Sequence, residues 1–297
     1  MIGRAFISSF PVDDVSFVVL SRNDPQQVKG FADNVQVVRW DGETPEGWVD
    51  HLKNTDVIVN LAGQSIAGGI RWTKGLKKKL VDSRVKAGNA LVTALEQTGA
   101  RPQLFLQASG INYYEYGDEE RSEDSPAGIS FLSTLSVGWE NSSQAVEEMG
   151  VRRVVMRIAP VLSRKGGLLK LMKLPYLFFV GGRLGLRGKQ WFSWIHIDDL
   201  VGFMHQAIEN PSWAGTYNLA APQPVQNKEL NRQMGKALRR PWFFHVPRLM
   251  LKVFLGEKAD LLVGSLKVLP TRLQNEGFDF QFEEISKGLN DVFRKKK

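Results

Sequence analysis

The sequence predicts an α/β fold: a doubly wound parallel sheet followed by a small, mostly helical C-terminal lobe. Two observations carry this. Short, nearly continuous apolar runs, of the kind that strands covered on both faces require, alternate with stretches of helical spacing from residue 15 to residue 209. Such alternation implies right-handed crossovers and parallel pairing. After Pro222 the alternation gives way to helices and loops. The chain is therefore expected to divide into a nucleotide-binding type of domain over residues 1–222 and a substrate-side lobe over residues 223–297. The lobe should lie over the carboxyl edge of the sheet, where open α/β folds bind ligands.

Each element has its own reason. Residues 1–6 (MIGRAF) already read as a helix start. Strands are expected at residues 15–20 (VSFVVL), 35–40 (VQVVRW), 56–61 (DVIVNL), 103–108 (QLFLQA) and 153–158 (RVVMRI). In residues 76–98, Leu80, Val81, Val85, Ala87, Leu91, Val92 and Leu95 recur at helical spacing; Gly99 then closes the helix and Pro102 precedes the next strand. Residues 132–149, with Gly150 as C-cap, and residues 198–209 give two more helices. In the lobe, residues 227–238, 247–255 and 260–269 look helical, and GFDFQF at 277–282 alternates like a short strand or edge.

Composition narrows the function. Hydrophobic residues at 43% and charged residues at 24% exclude a mostly disordered chain. The net charge of +8 suits a phosphate-bearing ligand or a polyanion. The chain has no cysteine, which removes disulfides, thiolate metal sites and a Cys nucleophile. The most apolar stretch, residues 168–180, is broken by Lys170, Lys173 and Pro175 and falls short of the roughly 20 residues a bilayer span needs. No basic stretch leads into an apolar core at the N-terminus, so a cytoplasmic protein is expected, with no membrane partner. His51, His196, His205 and His245 lack metalloprotease spacing, so no metal site is expected. Neither a G-x-S-x-G elbow nor a Walker loop occurs. The aromatic residues read as packing and not as a base-stacking platform, so no nucleic acid is expected. The basic run 294–297 reads as a solvated end.

The strand ends point to a dinucleotide. Asn60, Leu61, Ala62 and Gly63 close the 56–61 strand, and small residues there let a ligand approach the backbone. Arg22 follows the 15–20 strand. In nucleotide-binding sheets an acidic residue at that place suits NAD and an Arg suits a 2′-phosphate, so Arg22 hints at NADP (NADPH).

The residues then match a known family. NLAG at 60–63, RWT at 71–73, DSRV at 82–85, the pair Tyr113-Tyr114, FL and WE within 131–140, Gly166-Gly167 and above all GKQWFSWIHIDDL at 188–200 occur in matching order. Together with residues 240–292 they resemble the epimerase-like family of atypical, extended short-chain dehydrogenases/reductases, with its small appended C-terminal domain. The resemblance covers essentially the whole chain. It implies a Rossmann sheet whose first strand and first two turn glycines lie upstream of this sequence, Gly3 standing as the third glycine of the phosphate-binding turn. A start assigned too far downstream, or a truncated pseudo-enzyme, are the two expectations that follow. GRLGLRG at 182–188 has the same glycine spacing but no strand–turn–helix context, so it reads as a loop.

The family's proton-transfer pair is a Tyr with a Lys four residues later, and a Ser that orients the substrate oxygen. No Tyr-x-x-x-Lys occurs here; by alignment those places fall on Leu132 and Ser136. The resemblance nominates Ser109, Tyr113 and Tyr114 as substrate-side residues. It places Arg84 where the extended group carries an Asn near the cofactor. His196 reads as structural, beside a helix capped by Asp198 or Asp199. The expected function is an NADP-dependent oxidoreductase or epimerase-like enzyme acting on a small molecule, with room for a homodimer. The alternative is a non-catalytic NADP-binding sensor or scaffold.

Overall fold

The computed structural model describes residues 1–185 and 187–293, with only the backbone at 168, 170 and 171. The reading of the basic end at 294–297 lies outside the described residues. Helix α1 (Ile2–Ile7) opens the chain and buries Phe6 against Phe10, Phe17 and the ring of His205. Strands β1 (Phe17–Ser21), β2 (Val35–Arg39) and β3 (Val57–Asn60) follow, then the 25-residue helix α2 (Lys74–Thr98). Thr73 caps α2 by accepting from the Leu76 amide, and Gly99 ends it in the left-handed conformation (φ 68°) that suits glycine. Strand β4 (Leu104–Gly110) leads through residues 111–130 to α3 (Phe131–Asn141), and β5 (Arg153–Ile158) comes next.

Among the elements that follow are α4 (Leu168–Leu177), β6 (Gly182–Gly185), α5 (Ile197–Glu209), β7 (Gly215–Leu219), α6 (Asn227–Leu238), β8 (Phe244–Pro247), α7 (Arg248–Leu255) and α8 (Ile285–Phe293). All ladders of the main layer are parallel. One four-stranded sheet has the order β7-β5-β4-β3, and β1 pairs with β2 alone. No ladder joins β1 to β3 among the described residues. The two pieces nonetheless share both covering layers. Phe17 of β1 and Val57 and Val59 of β3 pack into the core under α1 and α5. Leu20, Val38 and Ile58 pack into the core under α2 on the other face. The α/β class and parallel Rossmann-like layering expected from the sequence are therefore present.

The lobe is not contiguous in sequence. Leu162, Leu169, Tyr176 and Trp194 share a third core with Leu230, Met234, Ile285 and Leu289, so residues 162–194 pack with the segment after 222. Several expected elements differ. The 132–149 helix ends at Asn141, where Ser142 and Ser143 turn the chain into a 3-10 turn at Gln144–Val146. The 260–269 helix stops at Val263, because Lys267–Val268 pairs in parallel with Glu120–Arg121. Residues 277–282 are irregular: the Gln281 and Phe282 amides, which a strand would spend on a ladder, donate to the Asp199 carboxylate. The 182–188 segment is not a plain loop either, since its first four residues form β6, paired in parallel with β8.

Candidate functional site

The carboxyl ends of β3, β4 and β5 open on one edge of the sheet, and the lobe is tied across it. Arg71, from the loop after β3, donates through Nε to the Phe254 carbonyl (3.1 Å) and through its other nitrogen to that of Val253, at the end of α7. Lys258 donates back to the Ala67 carbonyl at 2.5 Å.

Under this bridge, the β3 end is shaped for a close-lying ligand. The Asn60 side chain donates to Gln107 Oε1 (2.9 Å) and accepts from the Ala62 amide (3.1 Å), which fixes the turn. A Cβ on Gly3 would stand 3.4 Å from Leu61, so α1 begins directly beside this turn. A Cβ on Gly63 would stand 3.0 Å from the Arg84 guanidinium carbon, so no larger side chain fits without displacing that group. Arg84 is buried. It donates to the Leu80 carbonyl (2.9 Å) and the Gln64 carbonyl (3.0 Å) and lies over the Trp139 ring, and its Nε has no partner among the described residues. No carboxylate pairs with it there, and burial pulls its pKa down to about 10. A cation desolvated without a counter-ion is costly, and an anionic ligand relieves that cost. Asn60, Leu61, Ala62, Gly63, Arg84 and Gly3 are thus neighbours. Arg22 lies apart, exposed just past β1, with no ion pair among the described residues. Its alkyl chain runs beside Gly42, where a Cβ would stand 3.5 Å from Arg22 Cδ.

The β4 end holds a buried polar network that the sequence did not reveal. Arg157, from β5, forms a two-pronged pair with Glu140 of α3, Nε to Oε1 at 2.9 Å and an η-nitrogen to Oε2 at 3.0 Å. Ser109 donates to the same Oε1 at 2.6 Å. Arg157 also donates to the Tyr114 hydroxyl (2.9 Å) and the Glu123 carbonyl (3.2 Å), and Tyr114 donates to Asn218 Oδ1 (2.7 Å). Glu123 in turn accepts from the amides of Asn218 and Arg272. One signal was legible: an Arg amid the apolar run RVVMRI needs a buried partner.

This network sorts the nominated residues. Tyr114 is fully buried, and burial pushes its phenol up to about 12 even with Arg157 alongside. It is a structural member of the network and not a substrate-side acid, which corrects the expectation. Ser109 lies inside β4, not after it, and its hydroxyl is committed to Glu140. Tyr113 is half-buried, with the Arg157 guanidinium 3.4 Å from its ring centroid, and its hydroxyl makes no hydrogen bond among the described residues. Leu132 and Ser136 are both buried on one face of α3 and supply neither a phenol nor an ammonium. His196 is buried and caps α5 by accepting from the Asp198 amide at 3.3 Å; burial lowers its pKa against the pull of Asp198 and Asp291. Asp199 does not cap that helix but binds the 281–282 amides.

The parallel layered fold and the strand-end turn at its carboxyl edge are those of the extended short-chain dehydrogenase/reductase class. The chain belongs to the epimerase family within it. It is 33% identical over 98% of its length to an epimerase family protein of Staphylococcus haemolyticus, covering 95% of that protein, and 32% identical over 99% of its length to one of Staphylococcus aureus, covering 96%. Residues 246–292 match a domain of unknown function, DUF1731. Among solved structures, human epimerase family protein SDR39U1 (isoform 2) with NADPH superposes with a TM-score of 0.85, at 28% identity, over 99% of this chain and 96% of that one. UDP-glucose 4-epimerase of Thermus thermophilus, in complex with NAD, shares the fold alone, with a TM-score of 0.75 at 16% identity over 99% of this chain and 96% of that one.

Proposed function

We propose that this protein binds NADP(H) and acts as an oxidoreductase or epimerase of the extended short-chain type on a small carbonyl or hydroxyl substrate in the cytoplasm. The observation that carries the reading is the desolvated Arg84, which has no carboxylate partner among the described residues and packs against Gly63 at the carboxyl end of β3. The NADPH held by the human relative supports the same choice of cofactor. In this reading Arg22 meets the 2′-phosphate, as an Arg at the end of the second Rossmann strand does. The turn at Asn60–Gly63 lets the dinucleotide lie on backbone, and Arg84 neutralises phosphate charge. The cofactor supplies hydride transfer. Substrate fits between the strand ends and the lobe, where the Tyr113 hydroxyl has no hydrogen-bond partner among the described residues. Ser109 helps by holding Glu140, and through it Arg157, in place.

The lack of a Tyr/Lys pair on α3 favours a second reading, an NADP-binding sensor that makes no turnover. NADPH oxidation followed at 340 nm across a panel of aldehydes and ketones separates the two. Turnover that falls in Tyr113→Phe with unchanged NADPH affinity supports the enzyme. Tight NADPH binding with no turnover on any carbonyl leaves the sensor.

A further inference from the structure

The charge of this protein is distributed very unevenly. Residues 164–197 and 230–256 hold 13 of its 39 Lys+Arg and none of its 31 Asp+Glu. The rest of the chain, with 26 basic against 31 acidic residues, is net negative. The two segments are distant in sequence, but the β6–β8 ladder joins them, with Phe244 beside Gly182 and Pro247 beside Gly185.

The same surface carries an unusual amount of exposed apolar side chain. Phe178 and Leu249 are each 75% exposed, Phe243 is 68% and Phe254 is 65% exposed. Leu174, Leu177, Phe179, Val180, Phe244, Met250 and Val253 are exposed with them. Helix α7 buries none of its residues, and Leu249, Met250, Val253 and Phe254 fall on one side of it at helical spacing. The patch is continuous: Phe243 stacks on Phe244 at 4.8 Å, the Phe244 amide donates to the Gly181 carbonyl, and Arg240 lies 4.8 Å from the Phe179 ring centroid. Arg248 and Lys252 face Asp260 at 3.6 and 3.8 Å, whereas Lys173, Arg183, Arg239 and Arg240 have no carboxylate partner among the described residues.

We propose that the face built by α4, the β6–β8 ribbon and α7 seats the protein peripherally on an anionic lipid bilayer. Aromatic and aliphatic side chains enter the interface while cations meet the lipid phosphates, as amphipathic interfacial helices do. Charge selects this occupant. A two-fold pairing with a second copy would set the same cations against each other. Nucleic acid would leave Leu249, Met250 and Val253 against phosphate. That no helix among the described residues is long and apolar enough to cross a membrane does not bear on this mode of contact, which lies in the plane of the interface.

Vesicle flotation of the full chain tests it. With vesicles of phosphatidylcholine containing about a third phosphatidylglycerol, the protein floats; with phosphatidylcholine alone it does so about tenfold less, and salt releases it. Phe178→Ser with Leu249→Ser, and separately Arg239→Glu with Arg240→Glu, each cut flotation about tenfold while the circular dichroism spectrum and melting temperature stay those of the parent. No flotation on anionic vesicles overturns the proposal. So does equal flotation of parent and both variants, or a dimer in sedimentation that the Phe178/Leu249 variant abolishes while vesicle binding is nil.

Discussion

Arg84 and Tyr114 show how much a single residue's surroundings decide its role. The sequence singled out both, but only the structure separates a buried cation with no carboxylate partner among the described residues from a fully satisfied buried phenol. If Arg84 meets the dinucleotide as proposed, replacing it by Met removes a charged contact, and since charge-assisted hydrogen bonds are worth about 1.5–3 kcal/mol, NADPH affinity falls about ten- to a hundredfold by fluorescence titration. The fold is retained, since Met fills the stem's space beside Trp139. Tyr114→Phe strands donors of Arg157 in the core and costs about 1–3 kcal/mol in urea denaturation without altering cofactor affinity. Tyr113→Phe costs little stability. The end of a strand at Asn60 was legible from its apolar run, but a plain β-to-loop turn uses the same residues as Asn60–Gly63, so the sequence alone did not separate the two uses. The commitment of Ser109 and Tyr114 was not legible, because their partners Glu140, Arg157 and Asn218 lie 31, 43 and 104 positions away.

Elements follow the same logic. The strands β1 to β5 and the helix α2 were readable from periodicity, since their apolar runs face two layers at once. The failures cluster where a long-range partner outbids local propensity: Lys267–Val268 pairs with Glu120–Arg121, and the 281–282 amides bind Asp199. Helix α8, for which the sequence raised no expectation, packs Leu289 and Val292 into the lobe core. Two expectations belong here. Glu140→Gln breaks the pair that ties α3 to β5 and leaves Arg157 as an uncompensated buried charge, costing about 3–5 kcal/mol by urea denaturation. Burial raises Asp199 from 3.8 to about 6, despite the two amides that favour its charged form. A raised carboxyl pKa adds stability that is complete below about pH 4 and lost as pH climbs through about 6. Lowering the pH from 7 to 5 should therefore stabilise the parent relative to Asp199→Asn, by at most about 3 kcal/mol for the full shift. Identical pH dependence of the urea midpoints in the two proteins would contradict this role.

At the scale of the molecule, six parallel strands in two sheets share two covering cores, and the lobe closes over their carboxyl ends through Arg71 and Lys258. That arrangement places the Asn60–Gly63 turn, the Arg84 cation and Tyr113 along one edge, with the basic apolar face on the lobe beyond it. Architecture was largely legible in the sequence because burial of both sheet faces imposes its own pattern. The change of pattern after residue 222 was legible too, but the noncontiguous core was not, since residues 162–194 meet residues 221–293 only in three dimensions. The central claim is that a 2′-phosphorylated dinucleotide lies on this sheet edge. Calorimetric titration of the parent and Arg22→Ala with NADPH and with NADH tests it most directly. The account predicts that the parent binds NADPH about tenfold or more tightly than NADH and that Arg22→Ala brings the two close to parity, by loss of NADPH affinity alone. A parent that binds neither nucleotide, or a preference for NADPH that Arg22→Ala leaves intact, would contradict it.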